Sequence, residues 1–312
     1  MKKAQFFYLL RRGFFAGGGG EWSALVNAFK TRVIADGGTL ESESCIRDDV
    51  KYLIQNPEPV PTPAFDADYQ AVLDQASSLG YTAPSAAQQT LQNTLVTDLK
   101  TAGVWDKLDV FYVFATDGDS DYATLNWKTP TSFQTTKVNS PTFTTNQGYQ
   151  GDGSSSYLDT NFNPNTHSTA SSQYSIGAGG YQFQKPTSTY DNIIGTDNGA
   201  NDILVATKFT TEQPFYRVND AQSFRPSFVT SVGFYGVSRS ASNRIDAILP
   251  DGTTDSSTNA AAAGMPNANL LVLSWSTAVK SNAIVSVAYY GGDLTSEHSD
   301  FKTAVDNYIA GL

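Results

Sequence analysis

Three aspartates at alternating positions are the residues best placed to do chemistry. Asp117, Asp119 and Asp121 in "DGDSD" stand at i, i+2 and i+4, the spacing with which an EF-hand loop begins to bind Ca²⁺. An EF-hand needs glycine at position six and glutamate at position twelve, where this chain has Tyr122 and Lys128, so an EF-hand is excluded. A looser calcium site and a polar hairpin whose aspartates bond their own backbone remain as hypotheses, and we favour the hairpin.

Other catalytic and metal-binding arrangements have little support in the sequence. The two histidines, His167 and His298, lack an accompanying G-x-S-x-G elbow, and with one cysteine, Cys45, they make a poor zinc set. Glycoside hydrolysis needs two facing carboxylates, yet Glu212 and Glu297, the only glutamates of the β-rich region, lie far apart in sequence. We therefore expect no catalytic residues, no enzyme activity and no cofactor apart from the calcium hypothesis.

Aromatic side chains offer a different chemistry, because exposed rings can stack on sugars. Trp127, Trp275, Tyr289 and Tyr290 all occur in apolar strand contexts, which favours core packing for each of them. The sequence does not place a receptor-binding site.

The composition favours a β-rich protein. Hydrophobic residues make up 40% of the 312 residues, and charged residues only 16%, a balance that suits strands and turns better than a helical bundle. The net charge of −10 argues against nucleic-acid binding by a basic face. Residues 1–32 are an exception, with six Lys or Arg against one Glu.

The basic residues define an N-terminal arm. Its apolar run, Phe6 to Leu10, is too short for a signal peptide or a membrane span. The arm is either a tail that packs on its own protein or a docking peptide for a partner protein or an anionic surface. We favour docking, through Lys2, Lys3, Phe6, Phe7, Arg11 and Arg12. Four glycines end this segment, so residues 1–20 form a docking arm with a flexible joint.

Two further segments separate the arm from the bulk of the chain. Residues 21–56 predict a small α+β unit, built from a strand, an Asp-Gly turn, a second strand and a short helix. In residues 57–64 every second residue is proline, and this pattern predicts an extended, semi-rigid spacer.

The remaining chain predicts two helices followed by a sandwich. Within residues 65–107, Asp66 caps the first helix, and a capping box of the form S-x-x-Q from Ser85 begins the second. Short runs of period two, separated by turn residues, predict a β-sandwich or jelly roll over residues 108–312, with a final helix capped by Thr295.

The order of several motifs resembles a module of bacteriophage and prophage virion proteins. "YQGDGSSSYLDTNFNP" resembles the glycine-rich strand pair early in concanavalin A-like, laminin-G-like jelly rolls, with two strands meeting in a tight turn and Tyr157 and Phe162 turned inward. "FYVFATDGDSDYATLNW" precedes it, "IIGTDNGAND", "FYRVND" and "GFYGVSRSAS" follow, and "VSVAYYGGDLTSEHSDFKTAVDNYIAGL" ends the series. The resemblance covers residues 65–312.

The resemblance implies both a fold and a function. The fold is mainly β, a concanavalin A-like jelly-roll sandwich preceded by a helical pair and a small N-terminal α+β arm. The function is that of a structural virion protein, a spike or fibre that displays a lectin-like domain to a host-surface glycan or protein. Alternatives are a capsid or vertex component that makes only protein contacts and, third, a polysaccharide-degrading spike enzyme. We also expect a homo-oligomer located in the virion.

Overall fold

The computed structural model describes residues 65–312 apart from 186, 200, 220–222, 259–261, 263 and 277–278. Residues Phe65–Leu312 form one compact unit. The predicted docking arm 1–20, the small unit 21–56 and the spacer 57–64 lie outside the described residues. Among the helices that are described, none is long and apolar enough to span a membrane.

Helices occupy both ends of this unit. They are α1 (Ala67–Leu79), α2 (Ala86–Thr101), the short α3 (Pro164–His167) and α4 (His298–Ala310). The prediction that Asp66 caps α1 is confirmed, because its side chain accepts a hydrogen bond of 3.0 Å from the backbone N–H of Asp68. Gly80 ends α1 at φ 73°, a left-handed conformation that glycine adopts without a steric penalty.

The predicted capping box of α2 forms only in part. The hydroxyl of Ser85 accepts a 3.3 Å hydrogen bond from the N–H of Gln88, as expected. The N–H of Ser85 instead donates to Oδ1 of Asp117 at 2.9 Å, and Oε1 of Gln88 accepts from the N–H of Asp117 at 2.5 Å. The side chain that would close the box therefore joins α2 to the loop around residue 117.

The prediction that Thr295 caps the last helix is wrong. The α4 helix begins after Glu297, which makes no side-chain capping bond. The Thr295 hydroxyl donates to Oδ1 of Asp293 at 2.6 Å, so it closes a local turn before the helix. Glu297 instead pairs with Lys107 at 2.7 Å.

Fourteen strands occur within the described ranges. They are β1 (Leu108–Val113), β2 (Thr136–Val138), β3 (Thr142–Thr144), β4 (Gly148–Gln150), β5 (Tyr157–Asp159), β6 (Ile176–Gln184), β7 (Tyr190–Thr196), β8 (Ile203–Phe209), β9 (Phe215–Val218), β10 (Gly233–Ala241), β11 (Arg244–Ile248), β12 (Thr254–Ser257), β13 (Leu271–Val272) and β14 (Ile284–Gly291).

The strands form two antiparallel sheets. The first sheet has the order β12-β11-β10-β6-β14-β4-β3, and β1 also pairs with β14. The second sheet has the order β2-β5-β13-β7-β8-β9. The predicted fold class, a mainly β sandwich preceded by a helical pair, is confirmed.

Side chains alternate in direction along the strands of the first sheet, and the two sets lie in two separate cores. Val110 and Tyr112 of β1 lie in the core between the sheets, whereas Phe111 and Val113 lie in a second core beneath the helices. Helical side chains such as Phe301 complete that second core. The helices therefore cover the face of the first sheet that is turned away from the second sheet.

The segment 148–164 differs from its predicted arrangement. Its two strands belong to different sheets, β4 to the first and β5 to the second, so the turn between them crosses the sandwich edge. Asp152 makes this turn by accepting hydrogen bonds from the N–H groups of the next serines, including Ser155 at 2.7 Å. Phe162 is buried and Tyr157 packs against the core between the sheets, as predicted.

Candidate ligand-binding site

Asp119 of the "DGDSD" stretch is used to hold backbone groups. Its Oδ2 accepts from the N–H of Thr82 at 2.6 Å, and its Oδ1 accepts from the N–H of Tyr122 at 2.7 Å. Burial opposes ionisation, but these hydrogen bonds outweigh it and hold the pKa of Asp119 below its ordinary value. The carboxylate thus links the loop to the connection between α1 and α2.

The other two aspartates have partners of their own. Asp117 accepts from the N–H of Ser85, and Asp121 forms an ion pair of 2.7 Å with Nζ of Lys137. Within the described ranges no group of three or more metal-ligating side chains is placed to hold a metal ion. The structure therefore does not bring these three carboxylates together as a calcium site, because each one is directed to a different neighbour.

Both histidines have structural contacts. His298 is buried, and its Nε2 lies 3.0 Å from the hydroxyl of Ser238, which also accepts from the N–H of Leu294. Burial lowers the pKa of His298 to about 4. His167 closes α3, where its Nδ1 accepts a 3.0 Å hydrogen bond from the N–H of Asn163.

The two glutamates of the sandwich region are both in ion pairs. Glu212 contacts Lys208 at 2.5 Å and Lys185 at 3.0 Å, and these two lysines lower the pKa of Glu212. Glu297 pairs with Lys107 at 2.7 Å. A glycosidase general acid needs a raised pKa, which is the opposite of the shift at Glu212.

Trp275 differs from the other aromatic residues considered as sugar contacts. Trp127, Tyr289 and Tyr290 are buried in the cores, as predicted. Trp275 is only half-buried, and it packs against a small cluster of buried residues that includes Leu204 and is separate from the two larger cores.

Strand alternation explains the position of this cluster. In β8, Ile203 and Val205 point into the core between the sheets, so Leu204 lies on the opposite face of the second sheet. In β9, Tyr216 and Val218 point inward in the same way, and Phe215 and Arg217 occupy the opposite face. We call this surface the outer aromatic face, and it consists of Tyr190, Phe209, Phe215, Arg217, Arg225 and Trp275.

The aromatic rings of this face contact one another in a row. Phe209 stacks on Phe215 with centroids 4.4 Å apart and an interplanar angle of 14°. Tyr190 and Trp275 meet Phe209 edge-on at 4.9 and 6.4 Å. Trp275 also lies over Gly195, where a Cβ would come within 3.2 Å of its Cδ1, so glycine permits this close approach.

Two guanidinium groups flank the stacked rings. The Cζ of Arg217 lies 5.5 Å from the ring of Phe215 and 5.3 Å from the ring of Trp275. Asp202 holds Arg217 through an ion pair of 2.6 Å. Arg225 lies 4.4 Å from the ring of Phe215. The face therefore combines apolar ring surface with directed hydrogen-bond donors, which is the mixture found in small-molecule sites.

Several buried polar atoms on this face lack partners among the described residues. Asn192 pairs in the ladder with Ala206 of the outer cluster, and neither its Nδ2 nor its Oδ1 has a hydrogen bond. Nε1 of Trp275 and Nε of Arg217 are also unpartnered. Each such group lowers the free energy of unfolding by about 1–3 kcal/mol. Several donors and one acceptor therefore lie together on this face without a hydrogen-bond partner among the described residues.

The site residues were not assigned from the sequence, although one signal was present. "PFYRV" alternates an aromatic and a cationic residue at Phe215 and Arg217, which places both on one strand face. Phe209, Arg225 and Trp275 come from other segments, and only the sheet order brings them beside β9.

No protein-family model and no curated protein matches the chain. Among solved structures, it is similar to a mutant Trypanosoma rangeli sialidase displaying trans-sialidase activity, at 10% identity and TM-score 0.43 over 71% of this chain. It is also similar to domain 4 of AbnA, a GH43 extracellular arabinanase from Geobacillus stearothermophilus solved with arabinotriose, at 12% identity and TM-score 0.39, over 63% of this chain and 98% of that domain. An HCR/D W1238A mutant matches at 9% identity and TM-score 0.43, over 65% of this chain and 53% of that chain.

The chain spans only 39% of the length of that sialidase. At these identities and TM-scores the similarity lies in the fold and gives no indication of what this chain binds.

Proposed function

We propose that the protein is a structural component of a bacteriophage virion, a spike or fibre, that binds a host-surface glycan through the outer aromatic face. The observation behind this proposal is the half-exposed Trp275 beside the stacked Phe209 and Phe215, flanked by two guanidinium groups. The C–H faces of sugar rings pack favourably on aromatic rings, and guanidinium groups donate to sugar oxygens. The virion assignment rests on the order of motifs in the sequence.

Attachment by such a face depends on many copies. An open face buries little of a ligand, so each site binds weakly, and linked sites gain strength through effective concentration. In this proposal the arm of residues 1–20 docks into the particle and the proline spacer holds the sandwich away from it. A chain without residues 1–20 should fold and stay soluble but fail to incorporate into particles, and normal incorporation would refute the docking role.

Binding without cleavage is favoured over the enzymatic alternative. Glu212 and Glu297 are engaged with lysines, and the lowered pKa of Glu212 is unsuited to a general acid. The capsid or vertex alternative, with protein contacts only, predicts no glycan binding at the outer aromatic face.

Competition with phage adsorption tests the proposal. The full chain, clustered on beads, should block adsorption more strongly than the free chain and release no oligosaccharide from host envelopes. Trp275→Ala should abolish competition, whereas Tyr174→Ala, at a tyrosine that is 50% exposed elsewhere on the surface, should leave it unchanged. Failure of clustered chain to compete would favour the capsid alternative, and released oligosaccharide would favour the enzyme.

A further inference from the structure

We infer that the glycan bound at the outer aromatic face is acidic, and that Arg225 binds its carboxylate, phosphate or sulfate group. This inference rests on the proposed function and specifies the class of ligand. Its basis is the way in which Arg225 is held.

Arg225 is fixed from two directions although it is exposed. Its guanidinium lies 4.4 Å from the ring of Phe215. Its Nη1 donates to the carbonyl of Phe209 at 3.2 Å and to the hydroxyl of Thr211 at 3.4 Å. Within the described ranges, its Nη2 and Nε make no hydrogen bond and the side chain makes no ion pair. A positioned guanidinium edge therefore remains available to a ligand.

The other described arginines are committed to the fold. Arg217 pairs with Asp202 at 2.6 Å, and Arg244 pairs with the carboxylate of Asp246. Arg239 is buried, and its Nε donates to the carbonyl of Val218 at 2.9 Å. Arg225 thus differs from Arg217 and Arg244 in having no carboxylate partner among the residues described, and from Arg239 in being exposed.

Preorganisation makes this arginine suited to an anion. A surface arginine normally loses rotamer freedom when it binds, and stacking on Phe215 with two hydrogen bonds from Nη1 has already removed much of that freedom. The planar guanidinium fork matches carboxylate and phosphate oxygens in a bidentate geometry. A neutral sugar would use only part of these donors.

Among the described residues of this face and its surroundings, Arg225 is the cation without a carboxylate partner. Lys208 and Lys185 both form ion pairs with Glu212, and Arg217 forms an ion pair with Asp202. The net charge of the chain is −10, so non-specific attraction of anions is weak and selectivity must come from a positioned group. The aromatic rings contribute sugar-ring contact, and Arg225 contributes the discrimination between acidic and neutral glycans.

A glycan array probed with the full chain tests the inference. The array carries uronic-acid, phosphorylated and sulfated oligosaccharides, each beside a neutral counterpart made by carboxyl reduction, dephosphorylation or desulfation. We expect binding to at least one acidic class to exceed binding to its neutral counterpart by about tenfold or more, the range for a hydrogen bond to a charged group. The class that binds identifies the anion.

Matched variants separate the outcomes. Arg225→Gln should reduce the preference for the acidic member to about twofold or less. Arg244→Gln, at an exposed arginine that is paired with Asp246 on the first sheet, should keep the preference. Equal melting temperatures of the parent and Arg225→Gln would show that this variant folds normally. Equal binding of acidic and neutral members, unaffected by Arg225→Gln, would overturn the inference and leave glycan binding intact. Binding to no glycan would overturn the proposed function together with the inference.

Discussion

The hydroxyl of Thr207 lies 2.5 Å from Oδ2 of the buried Asp191 and also contacts Oε1 of Gln182. One hydroxyl proton therefore faces two oxygen acceptors in the space between the sheets. The amide nitrogen of Gln182 donates to the carbonyl of Ser231 at 3.3 Å, which orients Oε1 toward Thr207. Both contacts become hydrogen bonds when Asp191 is protonated. Its carboxyl then donates to the hydroxyl of Thr207, and that hydroxyl donates to Oε1 of Gln182.

Asp191→Asn should remove a contribution to folding stability that falls as the pH rises. Burial raises the pKa of Asp191 from 3.8 to about 6, while Ser281, Thr207 and the nearby Lys208 offset only part of this effect. A raised carboxyl pKa gives stability that is fully present below pH 3.8 and is lost as the pH rises through about 6. Relative to the parent, the asparagine variant should gain about 3 kcal/mol in unfolding free energy between pH 4 and pH 8, measured by urea denaturation. A difference that stays constant with pH would contradict the protonated state of Asp191.

His298→Gln should change the pH dependence in the opposite sense. The folded pKa of His298 is about 4, below its ordinary 6.5, because burial disfavours the charged ring. The stability from the neutral ring is present above pH 6.5 and is lost as the pH falls through about 4, by about 3 kcal/mol. Relative to the parent, the variant should therefore gain about 3 kcal/mol of unfolding free energy as the pH falls from 6.5 to about 4. Because Asp191 and His298 oppose each other between pH 4 and 6, the parent profile should be flatter than that of either variant, and parallel profiles for all three chains would refute both assignments.

The pair of Arg217 and Asp202 should show strong coupling. The Asp202 side chain is 1% exposed, and it accepts from Arg217 and from the N–H of Asn198 at 3.0 Å. Arg217→Met leaves a buried carboxylate without its cation and should cost about 2–4 kcal/mol of unfolding free energy. Adding Asp202→Asn should restore part of this loss, because the remaining group is neutral. Additive effects in chemical denaturation of the single and double variants would show that the pair is not coupled.

Removal of calcium should leave the melting temperature unchanged. Asp117, Asp119 and Asp121 already have backbone or lysine partners, so a cation would compete with those bonds. Asp119→Asn should lower stability by about 1–2 kcal/mol through weakened hydrogen bonds, equally with added calcium and with chelator. A fall in melting temperature on chelation that disappears in Asp119→Asn would instead establish a calcium site.

Local features were predictable from the sequence because they depend on neighbouring residues. The cap at Asp66 and the cap at Ser85 involve side chains and amides two or three positions apart. The segment "ATLNW" has the short, β-prone pattern of a strand but forms none, because the side chain of Asn126 accepts from the N–H of Phe111 at 3.1 Å in place of a strand partner. A side chain that replaces a strand partner in this way joins segments distant in sequence, and it produces no periodic pattern of residue types.

The candidate site could not be assembled from the sequence for a similar reason. An apolar strand pattern is the same whether an aromatic residue faces the core or the far side of the sheet, so Trp275 could not be distinguished from Trp127. Strand order alone brings Arg225 and Phe209 to the same ring of Phe215. The β-rich class and the helical pair follow from composition and spacing, whereas the site follows from topology.

The second core beneath α1, α2 and α4 determines where the polypeptide can be shortened. A fragment that began at β1 would keep α4 but lack α1 and α2. Trp127 and Tyr122, which contact Tyr69 of α1 and Gln92 of α2, would then lie on a face that water contacts. Exposed contiguous apolar area of that kind causes self-association. Such a fragment would be recovered as aggregates in size-exclusion chromatography, although every strand remained in its sequence. The helices thus cover one broad side of the sandwich, and the outer aromatic face lies on the opposite side.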